Sequence, residues 1–263
     1  MTIKEFVAYK KQEIKDEIST LNVKPHFVIM QVNDDEASNA YVKGKIKDAD
    51  EVGIICTLMK FDTSISQEEL IKEIEKVNNN NEIHGLIVQM PLPKHINEEA
   101  IKLAVSPKKD IDGFHPLSVL DPCTPKGIIT YLKNENVDFV GKNALVIGRS
   151  NIVGKPMAKL LLKESCNVTV VHSKTSKEDM AFYINHADII VIAIGHAGYL
   201  DESYSYKKDA IIVDVGISRI DGKLQGDAKP NLPVALQTPV PGGVGLLTRI
   251  TLLINLLEAY KNF

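Results

Sequence analysis

The chain has 263 residues, 44% of them apolar, and a net charge of −3. That is enough for one large or two modest domains with a real core, and it leaves no basic footprint for nucleic acid. No run of about 18 apolar residues marks a membrane span, the N-terminus is charged from Lys4 on and has no signal-peptide core, and Cys56, Cys123 and Cys166 are scattered without disulfide or metal spacing, which suits a reducing cytoplasm.

Thr2 and Glu5 form a capping box, and Ile3, Phe6, Val7, Ile14 and Ile18 recur at helical spacing, so the first element is an amphipathic helix. Residues 27–32 read as a strand. After the polar loop Asn33-Asp-Asp-Glu36, a helix runs from about Ser38 to Val52 and stops at Gly53. A second strand, 54–61, leads to a helix over 67–77 capped by Ser66 with Glu69. Residues 85–90 form a third strand, cut off by Pro91 and Pro93. A short helix at 97–105 and an irregular loop at 109–116 follow. Thr124 as N-cap and Pro125 at the first helical position open the next helix. Strands at 144–147, 168–172, 188–194 and 210–215, with helices between the earlier ones, give the alternation of a doubly wound parallel sheet. Asp221-Gly222 reads as a hairpin turn. The final helix, about Leu246 to Tyr260, is strongly apolar. The expected organisation is α/β in two domains. One is 1–120, completed by 240–263 as the last helix returns; the other is 121–239.

Three places could carry chemistry. The first is Gly148-Arg-Ser-Asn-Ile-Val-Gly154, a glycine turn between a buried strand, Ala144 to Ile147, and a helix. Free backbone N–H groups and the positive end of the helix dipole would converge there on a phosphate. The match to the dinucleotide fingerprint is imperfect: Ser150 stands where the second glycine belongs, and the third glycine falls one place late. An ordinary strand-to-helix turn has the same outline. The next strand ends in His172-Ser-Lys174, where an NAD site would place an acid for the ribose hydroxyls. A hydroxyl there and Arg149 in the turn suit a 2′-phosphate, so NADP is expected over NAD.

The second place is the helix of Tyr41 and Lys45, four residues apart and therefore on one face. Gln89 closes a strand, and ligands bind open α/β sheets outside the carboxyl ends of strands. A lysine withdrawn from solvent there can serve as base or proton shuttle, whereas a lysine on an exposed helix face is a solvated surface residue. The third is Asp112 beside Asp110. Asp112 is either a carboxylate clamp for a ring with adjacent N–H donors or part of a turn before Gly113. His84 and His115 have no spaced partner and are read as structural. No metal site is expected.

Together these residues resemble the bifunctional methylenetetrahydrofolate dehydrogenase/cyclohydrolase family. The matching pieces are Ser38-Asn-Ala-Tyr-Val-Lys-Gly-Lys45, Val88-Gln-Met-Pro-Leu-Pro93, Lys109-Asp-Ile-Asp-Gly113, Cys123-Thr-Pro-Lys-Gly127, Gly148 to Gly154, His172-Ser173 and Thr238-Pro-Val-Pro-Gly-Gly-Val-Gly245, in family order across nearly the whole chain. The resemblance implies a catalytic folate-binding domain and a Rossmann-like NADP domain with a cleft between them, usually in a cytoplasmic homodimer. It implies a folate site of Tyr41, Lys45, Val88, Gln89, Met90 and Asp112 with the loop Pro241, Gly242, Gly243, Val244 and Gly245. It implies a cofactor site of Gly148, Arg149, Ser150, Ser173 and Ile217. Leu246-Leu247 departs from the family's usual Pro-Met after the glycine loop, and Ala228 from the valine of Gly-Asp-Val; neither change removes a proposed catalytic group.

The implied chemistry is NADP-dependent oxidation of 5,10-methylenetetrahydrofolate to the methenyl cation, then hydrolysis to 10-formyltetrahydrofolate, a one-carbon donor for purine biosynthesis. Lys45 would manage the proton, Tyr41 and Gln89 would hold it, and Asp112 would anchor the pterin. Two other readings fit less of the pattern. One is a two-domain NADP dehydrogenase acting on a small ring ketone. The other is a non-catalytic NADP-binding regulator.

Overall fold

Ile3, Phe6, Val7, Ile14 and Ile18 are all buried on helix α1 (Ile3–Ser19) in a computed structural model of the chain, which describes residues 1–262. The chain divides into two compact units. The first unit comprises Met1–Val7 and Thr124–Thr248, and the second comprises Ala8–Cys123 and the residues from Arg249 on. The N-terminal residues join the first unit because Phe6 meets Tyr131 edge to face at 5.5 Å, Tyr131 Oη donates to Met1 O, and the Met1 ammonium pairs with Glu135.

The second unit is built on three parallel strands, β1 (His26–Gln31), β2 (Ile55–Lys60) and β3 (Gly85–Val88), in the order β2-β1-β3. Helix α2 (Glu36–Val52) crosses from β1 to β2 and α3 (Gln67–Asn78) from β2 to β3, as parallel pairing requires. Burial of Val28, Met30, Leu70, Ile74, Leu86, Val88 and Ile101, the last on α4 (Glu98–Ala104), makes one core. The strand order reverses between β1 and β3, and such switch points are where α/β sheets bind ligands. The Asp110 backbone pairs with Leu86 as a parallel bridge, so the loop after it runs out beside the carboxyl end of β3.

The first unit holds five parallel strands in the order β10-β7-β6-β4-β5. They are β4 (Asn143–Ile147), β5 (Asn167–Val171), β6 (Ile189–Ile192), β7 (Ile211–Asp214) and the short β10 (Leu236–Gln237). Helices α5 (Cys123–Asn134), α6 (Gly154–Lys163) and α7 (Lys177–His186) accompany them. The β6 strand and most of β4 and β7 are fully buried, as expected for strands covered on both faces. The hairpin β8 (Ser218–Ile220) to β9 (Lys223–Gln225) turns at Asp221 and Gly222 with φ of 50° and 77°, the paired positive values that a two-residue turn matching strand twist needs. The final helix, α8 (Val244–Lys261), is tied to α2 within the second unit: Arg249 pairs with buried Asp48 at 2.7 Å. Gly44 makes room, since a Cβ there would lie 2.2 Å from Arg249 Nη1.

Helix α8 starts at Val244 rather than about Leu246, and two other helix starts differ from the sequence reading for a visible reason. α2 begins at Glu36, because the Asp35 carboxylate caps it by accepting from Ser38 N; Ser38 is thus inside the first turn. α5 begins at Cys123, and Thr124 does not cap it but meets Thr248 hydroxyl to hydroxyl at 2.9 Å.

Candidate active site

Ser38, Tyr41, Val42 and Lys45 form one stripe on α2 at helical spacing, and Lys45 is only 4% exposed. Burying an ammonium without a partner is costly, so its bonding matters. Lys45 Nζ donates to Gln89 Oε1 at 3.1 Å and sits 5.2 Å from the centre of the Tyr41 ring, within cation–π range. Gln89 directly follows β3; its backbone N donates to Met30 O, and its Nε2 donates to Met90 O at 2.8 Å, which turns Oε1 toward the lysine. At the carboxyl end of β1, Gln31 Oε1 and Ser38 Oγ are buried with no hydrogen-bond partner among the described residues. Orphaned polar atoms at a switch point are what a polar ligand would satisfy.

Asp110 and Asp112 divide their work. The Asp110 carboxylate, 4% exposed, accepts from Gly113 N at 3.1 Å and His115 N at 2.7 Å. Burial pushes its carboxyl up to about 6, against the lowering pull of the His115 amide. Asp110 therefore shapes the loop. Asp112 takes none of these N–H groups; it is half-buried and lines a small cavity with Val88, Met90 and Phe114. His84 is 6% exposed, and its Nδ1 accepts from His26 N.

In the first unit, the turn after β4 has the glycines it needs. Gly148 adopts φ of 119°, and a Cβ there would lie 2.5 Å from Ala193 O. At Gly154 a Cβ would lie 2.4 Å from Gly148 O, so neither position accepts a side chain as it stands. The role of Ser150 differs from the expectation of an open helix end. Its Oγ accepts from Val153 N and Gly154 N, its carbonyl accepts from Lys155 N, and Pro156 has no N–H. The N–H groups at the start of α6 are thus satisfied by Ser150. Arg149 and Ser173 are both exposed. They follow the paired ends of adjacent strands, Ile147 opposite Val171, and Gly148 N donates to Val171 O at 2.9 Å. Ile217, 55% exposed, follows β7. The loop Pro241–Gly245 belongs to the first unit, where a Cβ on Gly243 would lie 2.1 Å from Pro239 O.

A roomier cavity of about 710 Å³ in the first unit contains none of these residues. Two of its polar side chains, Asp214 and Gln237, are already committed. Asp214 accepts from Gly216, Asp227 and Ala228 N–H groups, and Gln237 bonds Leu232 N and Lys229 O. Among the described residues no group of three His, Cys, Asp or Glu side chains could hold a metal, and no helix is long and apolar enough to cross a membrane.

The profile of the tetrahydrofolate dehydrogenase/cyclohydrolase catalytic domain matches residues 1–112, and that of the family's NAD(P)-binding domain matches residues 122–263. The chain belongs to the tetrahydrofolate dehydrogenase/cyclohydrolase family. It is 42% identical to the bifunctional protein FolD of Halalkalibacterium halodurans over 98% of this chain and 97% of that one. The crystal structure of the FolD methylenetetrahydrofolate dehydrogenase/cyclohydrolase of Campylobacter jejuni superposes with a TM-score of 0.95 at 38% identity, covering 98% and 97% of the two chains. The Trypanosoma brucei enzyme, solved with NADP cofactor and inhibitor, superposes with a TM-score of 0.94 at 30% identity over 100% and 97%. The expected family and two-domain α/β architecture with parallel sheets are thereby borne out.

Within this family member, sequence reading missed four groups: Ser150 as the acceptor for the first N–H groups of α6, Asp110 as the loop's internal acceptor, and the buried pair Asp214 and Asp227. Asp227 is fully buried and accepts from Ile194, Gly195 and His196 N–H groups, which fixes the turn after β6. Gly216 and Gly226 admit the two carboxylates, since a Cβ on either would lie 2.0 Å from the facing acid. The signal available was Gly226-Asp227 after the hairpin; its partners lie too far along the chain for spacing to find them.

Proposed function

We propose that the chain oxidises 5,10-methylenetetrahydrofolate to the 5,10-methenyl cation with NADP and then hydrolyses that cation to 10-formyltetrahydrofolate. The observation that carries the reading is Lys45, buried, held by Gln89 and stacked on Tyr41 at a switch point of the second unit, in a chain whose relatives are bifunctional FolD proteins. The second unit binds the folate. Asp112, beside Val88 and Met90, offers two parallel acceptors to the pterin's amino group and ring N–H. The first unit binds the dinucleotide. The residues present fit it: the turn 149–152 lies at a strand end, and Arg149 and Ser173 follow adjacent strand ends, where they would take the 2′-phosphate. The backbone at Ile217 completes the set.

When bound, NADP accepts the hydride from the methylene carbon; that chemistry is the cofactor's. The chain's own residues place the folate and handle the hydrolytic proton. Water adds to the methenyl carbon and loses a proton to Lys45. The bond from that carbon to N5 breaks as the remaining hydroxyl proton leaves and N5 takes up a proton, and the carbon stays on N10 as the formyl group, now with a C=O bond. A lysine withdrawn from solvent beside the reacting carbon is placed to take the proton from water. Tyr41 and Gln89 hold the lysine at the reacting carbon.

A homodimer in a reducing cytoplasm is part of the reading. It rests on the family resemblance and on three free cysteines, two of them buried. The test of the function is one absorbance assay. Methylenetetrahydrofolate is mixed with NADP, then separately with NAD, and methenyl absorbance is followed as it rises and decays. No methenyl signal with either cofactor would end the proposal.

A further inference from the structure

We propose that Asn255, on α8, is a positioning residue that sets the Asp112 carboxylate for folate recognition; this rests on the role given to Asp112 above. Asn255 is fully buried. Its Nδ2 donates to Ile111 O at 2.9 Å and to Asp121 O at 3.1 Å, and lies 3.4 Å from Cys123 Sγ. Ile111 and Asp121 are the two ends of the loop that begins at Asp112. One amide therefore ties both ends to one point on a long helix.

The rest of the loop is built around that tie. Cys123 N donates to Asp112 O at 3.3 Å, and Cys123 Sγ lies 3.2 Å from Ile111 O, so residues 111–112 run against 121–123. Gly113, at φ of 75°, lets the strands of the loop touch; a Cβ there would sit 2.8 Å from the Asp121 carbonyl carbon. Gly85, at the start of β3, does the same for the helix, since a Cβ would lie 2.8 Å from Ile111 and 2.9 Å from Leu256, the neighbour of Asn255. On the other side Lys109, 2% exposed, donates to Val77 O and Asn80 O at the end of α3. The fixed points of the loop lie on and around the Asp112 backbone, and Asp112 lines the small cavity.

A loop end has many backbone conformations, and folding it once is cheaper than ordering it at each binding event. Without the Asn255 amide, the buried Ile111 carbonyl and the half-buried Asp121 carbonyl lose a donor, and the segment carrying Asp112 must seek another arrangement. The effect should fall on folate affinity and leave the chemical step alone.

The test uses the full-length enzyme with Asn255→Ala and Asn255→Ser, each alone and combined with Asp112→Asn, assayed well below the melting temperature of each. Asn255→Ala should weaken folate binding about tenfold, keep kcat within about twofold, and leave the NADP dissociation constant unchanged. Asn255→Ser keeps one donor and should fall between Ala and wild type. Against an Asp112→Asn background the Asn255→Ala effect should vanish, because the carboxylate it positions is gone. Full folate affinity in folded Asn255→Ala, or an undiminished loss in the Asp112→Asn background, overturns the inference. If neither Asn255 variant folds, hydrogen exchange of the wild type decides. A bound folate analogue should slow the Asn255 side-chain amide together with Gly113 N–H and Cys123 N–H; unaltered exchange there overturns the inference. The folate reading itself fails separately, if Asp112→Asn alone binds folate normally.

Discussion

Lys45 Nζ lies 3.1 Å from Gln89 Oε1, and the Gln89 amide is turned that way by its own bond to Met90 O. The pair joins α2 to the end of β3 within one unit and keeps a buried amine in a single place. Replacing Gln89 by Leu keeps the bulk and removes the acceptor. Leaving a buried charged donor unpaired costs roughly 1–3 kcal/mol, so methenyl hydrolysis should slow by about tenfold or more. The decay of methenyl absorbance measures this, and an unchanged decay would show that Gln89 does not hold the lysine in its working position.

Cofactor choice should turn on Ser173, which follows the strand paired to the glycine-turn strand. Ser173→Asp sets a negative charge beside the 2′-phosphate, a repulsion on the order of 1–3 kcal/mol at an exposed position. NADP turnover should fall about tenfold relative to NAD turnover. An equal fall with both cofactors would place Ser173 away from the adenosine ribose.

Asp112→Asn puts a donor where the pterin presents donors. Dehydrogenase and cyclohydrolase should weaken together, mainly through folate binding, by roughly 1.5–3 kcal/mol, the range for a hydrogen bond to a charged group. NADP binding measured alone should not change. Folate titration with both activities on this variant is the check; intact folate affinity with collapsed hydrolysis would make Asp112 a proton-transfer group.

How much of this was legible along the chain depends on distance. The helical spacing of Tyr41 and Lys45, the glycine turn and the alternating apolar runs are local patterns, and periodicity reports them. The start of α2 was missed because Asp34, Asp35 and Glu36 read as a polar loop, and only folding shows that Asp35 reaches Ser38 N. The split between Asp110 and Asp112 was also invisible: two acids two residues apart look alike until one is seen buried on the Gly113 and His115 amides. Ser150 standing in for a glycine looked like a flaw in a phosphate motif, whereas it closes the helix end. Thr124 with Thr248, and Asn255 with the Asp112 loop, join residues more than a hundred apart, where spacing carries no information.

Stability should depend on pH through Asp214. Burial pushes its carboxyl up to about 6 from an ordinary value of 3.8. An acid raised on folding contributes stability that is present below about pH 4 and is lost as pH rises through about 6. The full span of such a shift is about 3 kcal/mol. Asp214→Asn cannot titrate, so its melting temperature should fall less than that of the wild type between pH 5 and pH 7.5, on top of a constant offset for a lost acceptor. Parallel melting curves for the two proteins across that range would contradict this.

Lys45→Met tests the account most directly. It keeps the side-chain length, removes the amine, and leaves the first unit's cofactor residues untouched. Methenyl hydrolysis should fall by about a hundredfold or more, the size of a general-base contribution, while NADP affinity stays at the wild-type value. The measurement is the decay rate of authentic methenyltetrahydrofolate absorbance with the purified variant, set against NADP titration of the same sample. Hydrolysis near the wild-type rate in a folded, NADP-binding Lys45→Met protein would contradict the account and return Lys45 to a packing role.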